Sequence, residues 1–264
     1  MRNIFEIAQR CLQRTSVEEK LRQTHQARQL QVNGELSYQS YDPPEPISKT
    51  QFPDRPVLLP PRQMPRRKLS TPEGVTAFFH ALAHIEFVAI YLAWDIIYRF
   101  RGLPEQFYQD WLRVADEEAQ HFTLIREHLL TMGIDYGDLP AHGGLWDHAR
   151  QTAEDLLARL AIVPRCMEAR GLDVTPAMIK KFEAMNDGRG VAILTRILND
   201  EVGHVQLGSK WFAYQCRQTS VDPDDTYKQL ISQFYKGKPK GPFNRKMRII
   251  GGFSEAELEW LEHE

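Results

Sequence analysis

The chain has 264 residues, 42% of them hydrophobic, and a formal net charge of −2. That is ample for a sizeable core, and it gives no global reason to expect nucleic acid or an anionic membrane as partner. Its three cysteines, Cys11, Cys166 and Cys216, form no C-x-x-C pair; a disulfide framework is excluded, and a reducing cytoplasm is the expected compartment. The opening residues carry neither a long apolar run nor a small-residue cleavage site, so no signal peptide is expected.

Residues 1–35 read as helical, rich in Gln, Arg and Glu with a thin apolar stripe. Residues 42–72 hold nine prolines. Proline lacks the N–H that a helix interior or sheet ladder needs, so this arm is expected to be extended and to wrap the main body. The basic run Arg62 to Lys68 closes it. At Ser70-Thr71-Pro72-Glu73, Ser70 and Glu73 fit a capping box and the proline suits a first turn. The first bundle helix is predicted from there to about Arg101. Its stretch Phe78 to Phe100 is apolar enough to mimic a membrane span. It also contains His80, His84, Glu86 and Asp95, which are costly in lipid. A buried helix with an internal polar site, and no membrane partner, is the better reading.

Gly102-Leu103-Pro104 is a stop and restart signal, and a second helix is predicted from about Pro104 to Met132, closed by Gly133. A crossover follows, marked by Gly137, Pro140 and Gly143-Gly144. A third helix is predicted over roughly Trp146 to Arg170, interrupted by Pro164 and ended by Gly171. Thr175-Pro176 then opens a new piece, Asn186-Asp187-Gly188 breaks it, and a fourth helix runs from about Arg189 to Gln218. Beyond 219 the pattern stops. Residues 236–248 read as a basic loop, and Ser254-x-x-Glu257 is a capping box for a short terminal helix. No sustained alternation of apolar and polar residues appears, so little or no β-sheet is expected. The expected class is all-α, with an arm over 1–69, a four-helix bundle over 70–218 and an extension over 219–264.

Six residues on these helices form two matching halves. Glu86 is followed 32 residues later by Glu118-x-x-His121, and Glu168 is followed 33 residues later by Glu201-x-x-His204. Random placement of this chain's Glu and His would give roughly 0.7 Glu-x-x-His pairs, so one pair would mean little and a matched two mean more. Residues i and i+3 of a helix share a face, with Cβ atoms about 5–6 Å apart, so each Glu and His can grip one ion together. Gly102 lies 16 residues from both Glu86 and Glu118. On two antiparallel helices that sets both carboxylates about 24 Å from the turn, at one level. A bundle carrying Glu, Glu-x-x-His, Glu and Glu-x-x-His builds a carboxylate-bridged dinuclear metal site. Carboxylates and imidazoles without thiolate suit iron or manganese better than structural zinc.

Several neighbours are weighed beside these. His84, two residues from Glu86, reads as a hydrogen-bonded core histidine that could support a ligand. Glu117 and Asp200 could accept a hydrogen bond from a ligand histidine or lie on a solvated face. Tyr91, Trp94 and Tyr98 read as core packing rather than an electron path. The basic segment 236–248 reads as surface, with a nucleic-acid rim as the sharper alternative.

The stretches His80-x-x-x-His84-x-Glu86, Glu117-Glu118-Ala119-Gln120-His121, Glu168-Ala169-Arg170-Gly171-Leu172-Asp173-x-Thr175-Pro176 and Asn199-Asp200-Glu201-x-Gly203-His204 resemble the DUF455 branch of the ferritin-like di-iron carboxylate superfamily, over most of residues 70–253. A more distant resemblance is to the bacterial tRNA hydroxylases acting on isopentenyl-adenosine. The resemblance implies a ferritin-like bundle, two metal ions and O2 or peroxide chemistry of hydroxylase or oxidase type. In that layout Glu118 and Glu201 bridge, Glu86 and Glu168 are terminal, and each histidine caps one metal. A small-molecule substrate and an electron-donor protein are the implied partners, with tRNA as an alternative. Ferroxidase, peroxide-defence and purely structural roles for the metal compete with this reading; the lack of a rubredoxin-like module of four cysteines speaks against a rubrerythrin.

Overall fold

The computed structural model describes residues 1–40, 43–45, 52–65, 67–235 and 239–263. The described residues are all-α apart from one two-residue parallel strand pair, β1 (Arg2–Asn3) with β2 (Leu36–Ser37), and an isolated bridge between Leu58 and Ala141. They contain long packed helix pairs, as in a helical bundle. The chain divides into two compact units, Met1–Trp146 and Asp147–Glu264.

In the first unit the N-terminal region is two helices, α1 (Ile4–Gln13) and α2 (Val17–Val32), where one continuous helical stretch was expected. Ser16 is the reason: its hydroxyl accepts from the Glu19 N–H and starts α2 afresh. The proline-rich arm is extended where described, with one 3-10 turn at Pro61–Gln63. It lies on its own unit: Phe52 stacks on Tyr91 at 4.2 Å, and Leu59 donates to the Ala141 carbonyl. Pro46 and Arg66 of the expected arm fall outside the described residues.

Helix α3 (Pro72–Arg99) and helix α4 (Glu105–Thr131) form the hairpin that the sequence predicts. The cap of α3 is one residue later than expected: Thr71, not Ser70, accepts from the Gly74 N–H. Gly102 has φ +74°, a conformation that costs glycine little, and turns the chain between the helices. By length and apolar content α3 could cross a membrane. It instead packs as a core helix, with His80, His84, Glu86 and Asp95 buried alongside Phe79, Phe87, Ile90 and Trp94. Helix α2 is tied to α3 by a 3.0 Å bond from the Trp94 indole to the Thr24 hydroxyl.

Helix α5 (Gly144–Gln151) leads into the second unit. There the predicted third helix is resolved into α6 (Leu156–Ile162), a π-helical segment over Val163–Glu168, and α7 (Ala169–Ala184). Pro164 lacks the N–H needed for an α-helical bond, and the Ala169 N–H reaches back to the Pro164 carbonyl, a five-residue closure. Two expected breaks are absent. Helix α7 runs through Gly171 and Pro176. Pro176 cannot donate to the Leu172 carbonyl, and the Asn244 side-chain amide donates to that carbonyl instead, at 3.3 Å. A contact from 72 residues away thus overrides a local stop signal.

The break at Asn186-Asp187 is present, and helix α8 (Gly188–Thr219) follows. A Cβ on Gly208 of α8 would meet Pro164 Cβ at 2.6 Å, so only glycine lets α8 approach the π-helical segment this closely. The extension is more helical than expected, with α9 (Pro223–Phe234), α10 (Arg245–Ile250) and α11 (Glu255–His263). At α11 the predicted capping box closes in both directions, Glu257 N–H to the Ser254 hydroxyl and Ser254 N–H to the Glu257 carboxylate, both 3.0 Å. Two buried arginines hold the extension down. Arg165 donates two hydrogen bonds to Glu257 and lies against the rings of Phe212, Tyr227 and Phe253. Arg248 grips Asp173 with bonds of 2.9 and 2.8 Å.

Candidate metal centre

The hairpin of α3 and α4 brings three of the predicted donors together. Glu86 comes from the middle of α3, and Glu118 and His121 from one face of α4. Their relative exposures are 3%, 1% and 1%, so water has almost no access to them. The ligand atoms of these three lie within 4.8 Å of one another. His121 Nδ1 is 3.2 Å from Glu86 Oε2 and 3.5 Å from Glu118 Oε2. Nδ1 is therefore the nitrogen aimed at the carboxylates, and ligation would require its proton to sit on Nε2.

Burial raises the Glu86 carboxyl well above its ordinary pKa, and the neighbouring Glu118 charge raises it further; the His121 hydrogen bond opposes both. Two anions in a dry site are unfavourable until a cation joins them. A divalent ion supplies that charge, and two carboxylate oxygens with one imidazole nitrogen are donors that such an ion accepts. The residues of this half fit a metal.

In the second unit Glu201 and His204 stand on one face of α8, with His204 Nδ1 3.4 Å from Glu201 Oε1. The two Glu-x-x-His motifs thus share one internal geometry, as their i, i+3 spacing predicts. His204 is fully buried, while the Glu201 side chain is 12% exposed. Glu168 is half-buried and closes the π-helical segment. The expected kink beside it is real, but the helix continues past Glu168 to Ala184 rather than ending there.

The neighbours resolve individually. His84 is a buried, hydrogen-bonded histidine, its Nδ1 2.9 Å from the Tyr136 hydroxyl; burial pushes its pKa down to about 4. Glu117 lies 3.9 Å from Arg113, and Asp200 lies 2.6 Å from Arg196, each a pairing with the arginine one turn earlier on a partly exposed face. Tyr91 and Trp94 are buried in the core of the first unit. Tyr136 was not singled out from the sequence. It stands beyond Gly133 with no helical periodicity to mark it, yet its ring packs on Phe87 at 5.2 Å and Phe122 at 5.0 Å, next in sequence to Glu86 and His121. The loop that carries it is fixed by His80, whose Nε2 accepts from the Gly137 N–H at 3.0 Å.

The basic segment 236–248, read as surface, is not all exposed. Arg248 is buried against Asp173, and Arg245 is engaged by Glu255 and Glu262. Lys236 and Lys238 fall outside the described residues.

Long packed helices with a buried Glu, Glu-x-x-His set define a class, helical proteins whose acidic and imidazole side chains can hold a metal ion. The chain belongs to the DUF455 family, described as a protein of unknown function, whose pattern it matches over residues 13–259. It is 43% identical over 217 residues to an uncharacterized protein of Haemophilus influenzae, covering 80% of this chain and 75% of that one. No solved structure matches.

Proposed function

We propose that Glu86, Glu118 and His121 with Glu168, Glu201 and His204 hold two transition-metal ions, iron or manganese, in an oxidoreductase. The observation that carries this reading is the buried Glu86–Glu118–His121 triad, whose residue pattern occurs a second time in the chain. Glu86, Glu118, His121 and Glu201 are donors that could bind a metal. Glu168 and His204 join them in the proposal by their matching positions.

When bound, the two ions would supply redox chemistry with O2 or peroxide. Four carboxylates balance the charge of two divalent cations, and two neutral imidazoles complete the set. In this reading the anionic oxygens of Glu86, Glu118, Glu168 and Glu201 would offset the repulsion between the two cations; the ferritin-like resemblance implies that Glu118 and Glu201 would bridge the ions and that Glu86 and Glu168 would be terminal. The apolar packing of Phe87, Phe122 and Tyr136 keeps bulk water from the first triad.

The substrate in this reading is a small molecule, with an electron-donor protein to restore the reduced state; tRNA is the alternative substrate. The three free, buried cysteines suit a cytoplasmic setting. The test is to load the protein with Fe2+ without oxygen and mix it with O2 while following the Fe3+ absorbance. Oxidation faster than that of free Fe2+, and lost in Glu118→Ala, is expected. Oxidation no faster than in buffer would contradict the reading.

A further inference from the structure

We propose that the cleft between α1 and α2 binds a small phosphate-bearing molecule with an apolar body. The cleft measures about 590 Å³, within the size range of small-molecule sites. Four arginines line it, Arg2, Arg10, Arg14 and Arg22, against two acids, Glu6 and Glu19. The side-chain balance is four positive minus two negative, or +2, on a chain whose net charge is −2. A single phosphate group carries about −1.5 to −2 and matches it.

The acids do not neutralise the arginines evenly. Glu19 is shared by Arg14 at 3.3 Å and Arg22 at 3.7 Å. Arg2 and Arg10 make no ion pair among the described residues, and their guanidinium forks remain available for paired bonds to phosphate oxygens. Ile7, Ala27 and Leu30 provide apolar lining, and Asn3, Gln23 and Gln26 add amide groups that can both donate and accept. The arginines sit on exposed positions and Ile7, Ala27 and Leu30 lie deeper, so an organic phosphate with a small apolar group would touch both.

Arg2 and Arg10 precede residue 13, where the match to the family pattern starts. Half of the guanidinium groups therefore come from sequence outside that match. The cleft is made by residues other than the metal donors, and its test is independent of theirs.

The experiment is calorimetric titration of the whole protein with phenyl phosphate, and with inorganic phosphate, at constant ionic strength. One saturable site is expected, tighter for phenyl phosphate. The double variant Arg2→Gln, Arg10→Gln changes exposed side chains and is expected to fold, as circular dichroism would show. It should weaken binding roughly tenfold or more, the loss of two charge-assisted contacts. The single variant Arg189→Gln, an arginine of the second unit, should leave binding unchanged. No saturable binding, or equal binding by the wild type and the double variant, would overturn the proposal.

Discussion

In Met1–Trp146 the donors ride on two uninterrupted helices of 28 and 27 residues. In Asp147–Glu264 the matching donors ride on a helix carrying a π-helical segment that ends at Glu168, and on a third long helix of 32 residues. Burial of the carboxylates differs in the same sense, while His121 and His204 are equally buried. Glu86, Glu118 and His121 are nearly inaccessible, whereas Glu168 is half-buried and Glu201 keeps some exposure. One donor pattern has thus been built on two backbones, the first stiff and dry, the second locally rewound. Segments of π-helix recur at functional sites because they re-aim side chains. If the proposed centre forms, the contrast assigns the rigid donors to the first half and the re-aimed ones to the second.

That comparison can be broken most decisively at the donors. Glu118→Ala is expected to weaken metal binding by more than about 100-fold, beyond the 10- to 100-fold typical of a supporting residue. Glu168→Ala should lose less. Metal analysis of the two purified variants, loaded side by side, checks the order; equal losses would remove the asymmetry.

The next effect lies in the first unit and depends on pH. Lys20 is fully buried, its ammonium donating to the Cys11 carbonyl beneath the Tyr91 ring, and burial pushes its pKa down to about 7. A base depressed in the fold binds fewer protons folded than unfolded. Its stability cost is complete below pH 7 and is relieved as pH rises toward the unfolded value. Stability should therefore rise between pH 7 and about 8.5, the upper limit being set by the buried thiols, which begin to titrate in the unfolded chain there. Over the full range the depression is worth on the order of 5 kcal/mol. Denaturant unfolding of Lys20→Met should show that rise abolished.

In the second unit Gly208→Ala would drive a methyl into Pro164. A cost of about 1–3 kcal/mol is expected, the usual penalty for overpacking. At Ile125 of α4, the position matching Gly208 in the first half, truncation to Ala should destabilise by leaving a cavity instead. Thermal unfolding with metal present separates the two. The smallest effect is Asn244→Ser, which keeps a side-chain oxygen to cap α10 but removes the amide donor to the Leu172 carbonyl, and should cost about 0.5–1.5 kcal/mol. An unchanged melting temperature would mean that Pro176 is accommodated without that contact.

The first unit was more legible in the sequence than the second, for physical reasons. The hairpin of α3 and α4 is governed by local signals: a cap, a glycine at positive φ, and helical apolar periodicity. Its donors follow from the i, i+3 spacing of Glu118 and His121 and from Gly102 lying 16 residues from both Glu86 and Glu118. The second unit is governed by contacts distant in sequence. Gly171 and Pro176 read as breakers because nothing nearby shows that Asn244 will satisfy the freed carbonyl. Pro164 signalled a disturbance but not its form, which depends on Gly208 making room. Helices α9 and α10 start at Asp222 and Asn244, whose side chains accept from the Asp225 and Met247 N–H groups, local caps that the sequence does carry. Arg248 looked like surface charge because its partner, Asp173, lies 75 residues earlier.

In the proposed centre one chain holds two metal ions between its six donors. Elemental analysis of protein reconstituted with Fe2+ or Mn2+, with the spin state of the iron form read by Mössbauer spectroscopy, tests it most directly. Two ions per chain, magnetically coupled, are predicted. No bound metal, or a single uncoupled ion, would contradict it.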